Sequence, residues 1–515
     1  MKKNTATKIL IIFSACFLLL AFLAPSVFAA GTSKYGGTLR IAINLDAENM
    51  GYPPRLRRTN SQWNVTPCIE NLLRTGDDGR PVPWLATGYK ADPQAKTITL
   101  SLRKGVRFHD GTDFNANAVK WNLDKQVERK AGGTQSINSV DVIDDHTVQI
   151  NLKLWDNSFI TMLTHITGMI ISPASYEKNG EDWALGHPVG TGPFSFVSWE
   201  KDKKSVFKKF PGYWQKGKPY VDKIEYAPIR DHMTRVMSLK AKEYDLAIRL
   251  PEQNLPKLEK EGFKVGRGPM GLGNVGMVPD SRDPKSPMAD VRVRKALAYA
   301  VDTKAIVEKI YFGEAIHSNQ WASPNHWGYN PDVVGYPYNL AKAKKLMAEA
   351  GYSKGFETTF YYTNTYLPMA TALQAYLATI NIKLNLVPLQ AAASLKMNSR
   401  GGGWKGITRG YSTSRPDMAA AMQIMYTGGP KYFINMLIPE DFVEAVNNAV
   451  AAPDFETKRK YVHQAQKLWI DKYCTFIPVF IPINSVTTYP YVKDHNFYAY
   501  QNDAQWTPEL VWMDK

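Results

Sequence analysis

The sequence predicts a mixed α/β protein of two or three discontinuous domains with two chain crossings, and three observations carry that reading. The chain has 515 residues, too many for one hydrophobic core, so two or three domains are expected. Short alternating strand patterns are interspersed with helical ones from residue 36 onward, which points to packed layers of both kinds. No linker or low-complexity tract separates the pieces, yet two stretches look like crossings: the glycine-rich segment from Gly271 and the apolar, β-branched run Phe476–Ile483. The second is suited to a buried strand leading back to the first domain.

At the N-terminus, Lys2, Lys3 and Lys8 precede an apolar run from Ile9 to Leu23 and a small-residue pattern, Val27-Phe28-Ala29. Together these read as a cleaved secretory signal peptide over residues 1–29. The run is short for a membrane anchor. It also continues past Cys16, so lipoprotein anchoring is not expected. Three of the 63 Lys and Arg residues leave with the leader, taking the formal charge from +16 to +13. That balance suggests an acidic partner in general, but an exported protein does not meet nucleic acid. The densest basic cluster, Lys201 to Lys209, alternates with apolar residues as a solvated strand face would. Cys68 and Cys474 lie in different segments and are expected as two buried free thiols.

Taken in order, Gly36–Leu45 alternates as a first strand, and Asp46–Trp63, with Pro53 and Pro54 and no periodicity, is a loop. Strands follow in 74–85 and 96–111, then a helix at 115–130 and a hairpin around Asp144-Asp145. The turn at Val189–Phe194 enters another strand. Further strands are expected near 205–207, 224–228 and 244–248, with a helix at 233–240. From Gly271 an extended crossing feeds a helical pair, with Val293, Ala296, Leu297, Ala300 and Val301 on one face, Asp302 as a cap and Gly313 as the stop. Helices at 339–350, 367–380, 442–451 and 457–471 and a strand at 383–388 follow in this new domain.

Several chemistries fail on spacing. Gly271-x-Gly273-x-x-Gly276 satisfies a dinucleotide pattern only formally, because Val278-Pro279-Asp280 follows where a helix start is required. The glycines suit a hinge instead, and Asn274 is expected to point into a cleft. The nine histidines show no metal-ligand spacing, and nucleophile elbows and phosphate loops are absent. Neither metal nor cofactor nor catalytic residue is expected.

An ordered set of motifs spans the mature chain: Gly36-Gly-Thr-Leu-Arg-Ile-Ala42, Glu70-Asn-Leu-Leu73, Leu102–Gly111, Gly190-Thr-Gly-Pro-Phe194, Pro211-Gly-Tyr-Trp214, Asp290-Val-Arg-Val-Arg-Lys-Ala-Leu297 and Ala341–Gly351. In this order they resemble the extracellular solute-binding proteins of family 5, the peptide- and nickel-binding type that serves ABC importers. The resemblance implies an α/β, bilobed periplasmic binding protein-like fold of the large three-domain class. Lobe I would comprise 30–62, 189–275 and 485–515, with an extra subdomain at 63–188 and lobe II at 276–484. Hinges would lie near 272–280 and 484–490. It further implies a periplasmic monomer that encloses a small-molecule solute and delivers it to an inner-membrane ABC permease complex.

In the family's peptide binders, an Asp a few residues before an Asp-Pro pair holds the peptide's amino group. Aligned on Arg415-Pro416, that position is Ser412, and the pair's own Asp is replaced by Arg415. Peptide binding is therefore in doubt, and Arg415 with Arg409 is expected to meet an anionic group. Trp404 and Tyr411 would supply apolar walls, and Met50, Tyr52, Arg55 and Trp63 a wall from the first lobe. His109 is read as structural, and a metal chelate remains an alternative ligand. A solute sensor or chaperone on the same fold is a rival, and a secreted hydrolase a weaker one, since loops 46–63 and 400–417 hold few acids.

Overall fold

The computed structural model describes residues 34–56, 59–270, 272–399, 402–411, 413, 415–427, 432–500 and 505–515. The leader and Ser412 lie outside the described residues. One strand, Ile477–Thr488, belongs to both halves of the molecule. Its second half pairs antiparallel with Leu246–Ile248 and with Lys264–Pro269. Its first half pairs with Val275–Pro279, and Ile481 and Pro482 pair with Ala315–Ile316. The result is one 12-stranded sheet in which this strand, among the described residues, is the member common to the two lobes. Ile477, Val479, Phe480 and Val486 are all buried, as a strand covered on both faces must be.

Lobe I is built on Thr38–Ile43, which pairs in parallel with Lys223–Pro228 on one side and Leu246–Ile248 on the other. Phe194–Glu200 and Lys204–Lys209 extend that sheet. Its core takes Leu39, Ile41, Phe207 and Tyr226 from this sheet and Val486, Phe497, Trp506 and Val511 from the end of the chain. Lobe II has the order Ile477–Thr488, Val275–Pro279, Ile407–Arg409, Phe356–Thr363, Ile382–Leu389. The helix Val291–Ala300 packs Val293, Ala296, Leu297 and Ala300 into this core. Asp302 then caps a new turn by accepting from the Ala305 N–H at 2.9 Å, and Gly313 follows at φ +77°. A second lobe II core gathers Trp321, Tyr426, Phe442, Trp469 and Phe476.

The extra subdomain has a four-stranded antiparallel sheet and its own core, running from Leu72 to Ile170. Its packing boundaries differ from the expected 63 and 188. Trp63, Val65, Cys68 and Ile69 on one side, and Met169, Ile171 and Ala184 on the other, are buried in lobe I instead. Sequence patterning cannot separate two apolar cores that follow each other without a break. Cys68 and Cys474 are free and buried in the lobe I and lobe II cores respectively.

The junction between subdomain and lobe I explains four of the sequence motifs at once. Glu70 is buried, and its carboxylate accepts from Trp84 Nε1 at 2.8 Å, Tyr213 Oη at 2.9 Å, Thr191 Oγ1 at 2.8 Å and Trp214 Nε1 at 3.1 Å. Thr191 is delivered between two glycines that sit against the backbone of the Pro67–Cys68 segment. A Cβ at Gly190 would stand 2.1 Å from the Cys68 carbonyl oxygen, and one at Gly192 2.5 Å from that of Pro67. His109 Nε2 meets the Gly192 carbonyl at 2.9 Å, which makes it structural.

Two outcomes test this frame. Glu70→Gln replaces one acceptor oxygen with a donor facing two donors, so it should destabilise folding by about 2–4 kcal/mol in urea unfolding. His326 is buried, and burial lowers its pKa from 6.5 to about 4. The unfolded chain therefore takes up a proton near pH 6.5 that the folded one refuses. Its contribution is intact above pH 6.5 and is lost as pH falls toward about 4; melting temperatures of His326→Asn should decline less over that window.

Candidate functional site

The parallel strands Phe356–Thr363 and Ile407–Arg409 register Phe360 against Ile407 and Tyr361 against Thr408. Both therefore end at the same edge of the lobe II sheet, the carboxyl edge where open α/β sheets offer a crevice. Thr363 and Arg409 are those ends. A cavity of about 480 Å³ opens there, lined by Thr363, Ser394, Leu395, Arg409, Tyr411 and Arg415, with Ile424, Met425 and Tyr432 beyond them. Its size suits a small solute.

Three residues expected from the sequence meet in this cavity. Arg409 lies with its guanidinium 4.4 Å from the Tyr411 ring centroid and 4.5 Å from that of Tyr366. Such stacking suits a planar cation on an aromatic face. The Tyr411 hydroxyl is fixed by Ser394 Oγ and Asn398 Nδ2, each at 2.6 Å. Arg415 is half-buried, with its N–H donating to Thr413 Oγ1 at 3.2 Å. Thr413 in turn exchanges backbone bonds of 2.6 and 2.7 Å with Leu272. The turn that carries Arg415 is thus fastened to the crossing between the lobes.

Charge distinguishes this cavity from its neighbours. Arg294, also buried, spends its guanidinium on four bonds of 2.8–3.0 Å to the carbonyls of Tyr473, Met288 and Ala289. Arg409 donates once, to Gly410 O at 3.0 Å, and its buried Nε meets no acceptor among the described residues. Burial lowers the pKa of both Arg409 and Arg415, and only tyrosines act against it. Neither has an acidic partner among the described residues. Larger hollows of about 830 and 510 Å³ exist on lobe II, but their cations differ. Arg459 pairs with Glu456 and Lys304 is exposed.

The other expected site residues lie elsewhere. Trp404 is 3 % exposed and packs edge-on against Phe433 behind the cavity, so it is a core residue rather than a wall. Asn274 does not face a cleft. Its Nδ2 donates to the Ser318 and Gln320 carbonyls at 3.2 Å, and its Oδ1 accepts from the Val479 N–H at 2.9 Å. The first-lobe loop is also turned away. Met50, Tyr52 and Trp63 are buried in the lobe I core, Met50 N bonds Leu185 O, and exposed Arg55 approaches Glu181 at 3.4 Å. From lobe I it is Glu252 whose charge reaches Tyr366, which stacks on Arg409, and Tyr311. Burial raises the pKa of both tyrosines, and Glu252 adds to it. Sequence reasoning passed over Tyr366, and with it the strand Phe356–Thr363 that ends just before it.

A family model for bacterial extracellular solute-binding proteins, family 5 Middle, matches residues 80–433. The glutathione-binding protein GsiB of Salmonella choleraesuis is 33% identical over 342 residues, 65% of this chain. The match spans 66% of that relative, just under two thirds of its length. Among solved structures, HbpA2 from Haemophilus parasuis gives a TM-score of 0.81 at 23% identity, covering 93% of this chain and 100% of that one. AgaA from A. tumefaciens R10, in complex with agropinic acid, gives 0.70 at 25% identity, over 93% and 99%. With its lobes sharing one strand and its cavity at the sheet edge, the chain belongs to the bacterial extracellular solute-binding proteins of family 5.

Proposed function

We propose that this protein is the solute-capturing component of an ABC importer, enclosing a small anionic solute between its lobes and passing it to an inner-membrane permease. The reading includes a cleaved leader, a periplasmic location and a monomeric state. The observation that carries the ligand class is the cavity cation Arg409, buried against two tyrosines without an acid to neutralise it. Leaving a buried charge unpaired is costly, and a bound carboxylate removes that cost by accepting the unused guanidinium donors. Arg415 adds a second cation at the rim, and Leu395, Ile424 and Met425 offer apolar contact to the body of the solute.

An oligopeptide held by its amino group fits this cavity less well, because the expected acidic anchor is Ser412 and the neighbouring position is cationic. Glutathione, the compound named for the GsiB relative, carries two carboxylates and is the first probe to use. A ferric chelate is the second, on the likeness to NikA from Brucella suis in complex with Fe(III)-EDTA, at TM-score 0.79.

Calorimetric titration decides the matter. Arg409→Met and Arg415→Ala should each weaken binding of the anionic solute about 30-fold or more, with the fold intact by circular dichroism. Unchanged affinity in both variants would remove the anionic assignment.

A further inference from the structure

The subdomain touches lobe II along a seam remote from the shared strand, and the contact is specific. Trp155 Nε1 donates to Ala452 O at 2.8 Å, and Asn157 Nδ2 donates to the same carbonyl at 2.9 Å. Asn157 N donates to Val450 O at 2.9 Å, so the segment caps the C-terminal end of the helix Glu440–Val450. The last carbonyls of a helix have no partner within it, and here the opposite lobe supplies one. A second touch lies at the loop around Asp78, where Trp327 N donates to Asp78 O at 3.0 Å and the Arg80 guanidinium stands 5.2 Å from the Phe455 ring centroid.

Between these points is a buried charge. Asp417 and Lys458 are ion-paired at 1 and 2 % side-chain exposure. Oδ1 of Asp417 caps the helix Met418–Met422 through Ala420 N at 3.0 Å, and Oδ2 accepts from Thr161 Oγ1, also at 3.0 Å, as well as from Lys458. Thr161 belongs to the subdomain and Asp417 to lobe II. Asp417 follows Arg415 by two residues, at the end of the same turn.

We propose that Asp417, held by Lys458 and gripped by Thr161 from the opposite side, is a positioning residue for solute capture. It closes the subdomain onto lobe II and thereby fixes the turn that presents Arg415. The clasp biases the lobes toward closure whether or not a solute is bound, and so lengthens the residence of the solute more than it selects which solute enters. This rests on reading the chain as a two-lobed solute trap. It adds that the extra subdomain is part of the trap's closure.

The test uses Thr161→Val, which removes the hydroxyl at nearly constant volume, the double variant Thr161→Val/Trp155→Phe, and Thr161→Ser as the conservative control. Small-angle scattering without solute should show a larger radius of gyration for the first two and a wild-type value for the Ser variant. Glutathione should leave the Val variant about tenfold faster, with its association rate nearly unchanged. Wild-type scattering and wild-type release from the double variant would overturn the proposal. If wild-type protein does not retain glutathione, glutathione alone is removed as the solute, and the scattering comparison still decides for or against the clasp.

Discussion

Everything in this molecule depends on two lobes hydrogen-bonding to the same strand. A backbone strand offers one row of donors and acceptors on each side, and in Ile477–Thr488 those rows are divided between lobes along its length. A change of angle between the lobes, as proposed, would fall near the point of division, around Pro482, and in the neighbouring crossing from Leu272. Because that crossing bonds to Thr413, the same movement acts on the turn bearing Arg415. Two hydrogen bonds between Leu272 and Thr413 thus join the crossing directly to the cavity's edge, beside the proposed clasp at Asp417.

Much of the frame was legible in the sequence for definite physical reasons. The stripe from Val293 to Val301 has helical period, Asp302 and Gly313 punctuate it chemically, and Phe476–Ile483 reads as a strand buried on both faces. Arg415 stood out because an arginine occupies the place where the family's motif carries an acid, a substitution visible without coordinates, and Arg409 and Tyr411 drew notice as its near neighbours in the chain. Illegible were the roles of Asn274 and Trp404. Both belong to residue types that line clefts and also fill cores, and only the positions of the Ser318, Gln320 and Val479 backbones decide which. The first-lobe loop misled for a related reason. A proline-containing, aperiodic segment says that the backbone is irregular, and nothing about which way Met50 and Tyr52 face.

The basic character of the chain divides into two kinds. Most lysines are solvated and screened, and contribute to solubility. The cavity arginines are desolvated, and the contrast with Arg294 shows how this protein treats a buried cation whose role is purely structural, by bonding its guanidinium to backbone carbonyls on several sides. Arg409, by contrast, donates once among the described residues, and the proposed anionic solute would accept from its remaining donors. At Glu70 the opposite arrangement holds. Four donors from three separate segments converge on one buried carboxylate, and the fold itself satisfies it.

The lobe I core draws on both ends of the chain, from Leu39 and Ile41 to Trp506 and Val511. During synthesis the first lobe to be started is thus the last to be finished, since its central sheet lacks Val486 and its neighbours until nearly the whole chain has emerged. The subdomain, whose core runs only from Leu72 to Ile170, can form much earlier, whereas the lobe II cores also wait for Trp469–Phe480. A ribosome-bound chain should consequently keep its lobe I segments unpaired for most of its translation, with an already compact subdomain between them.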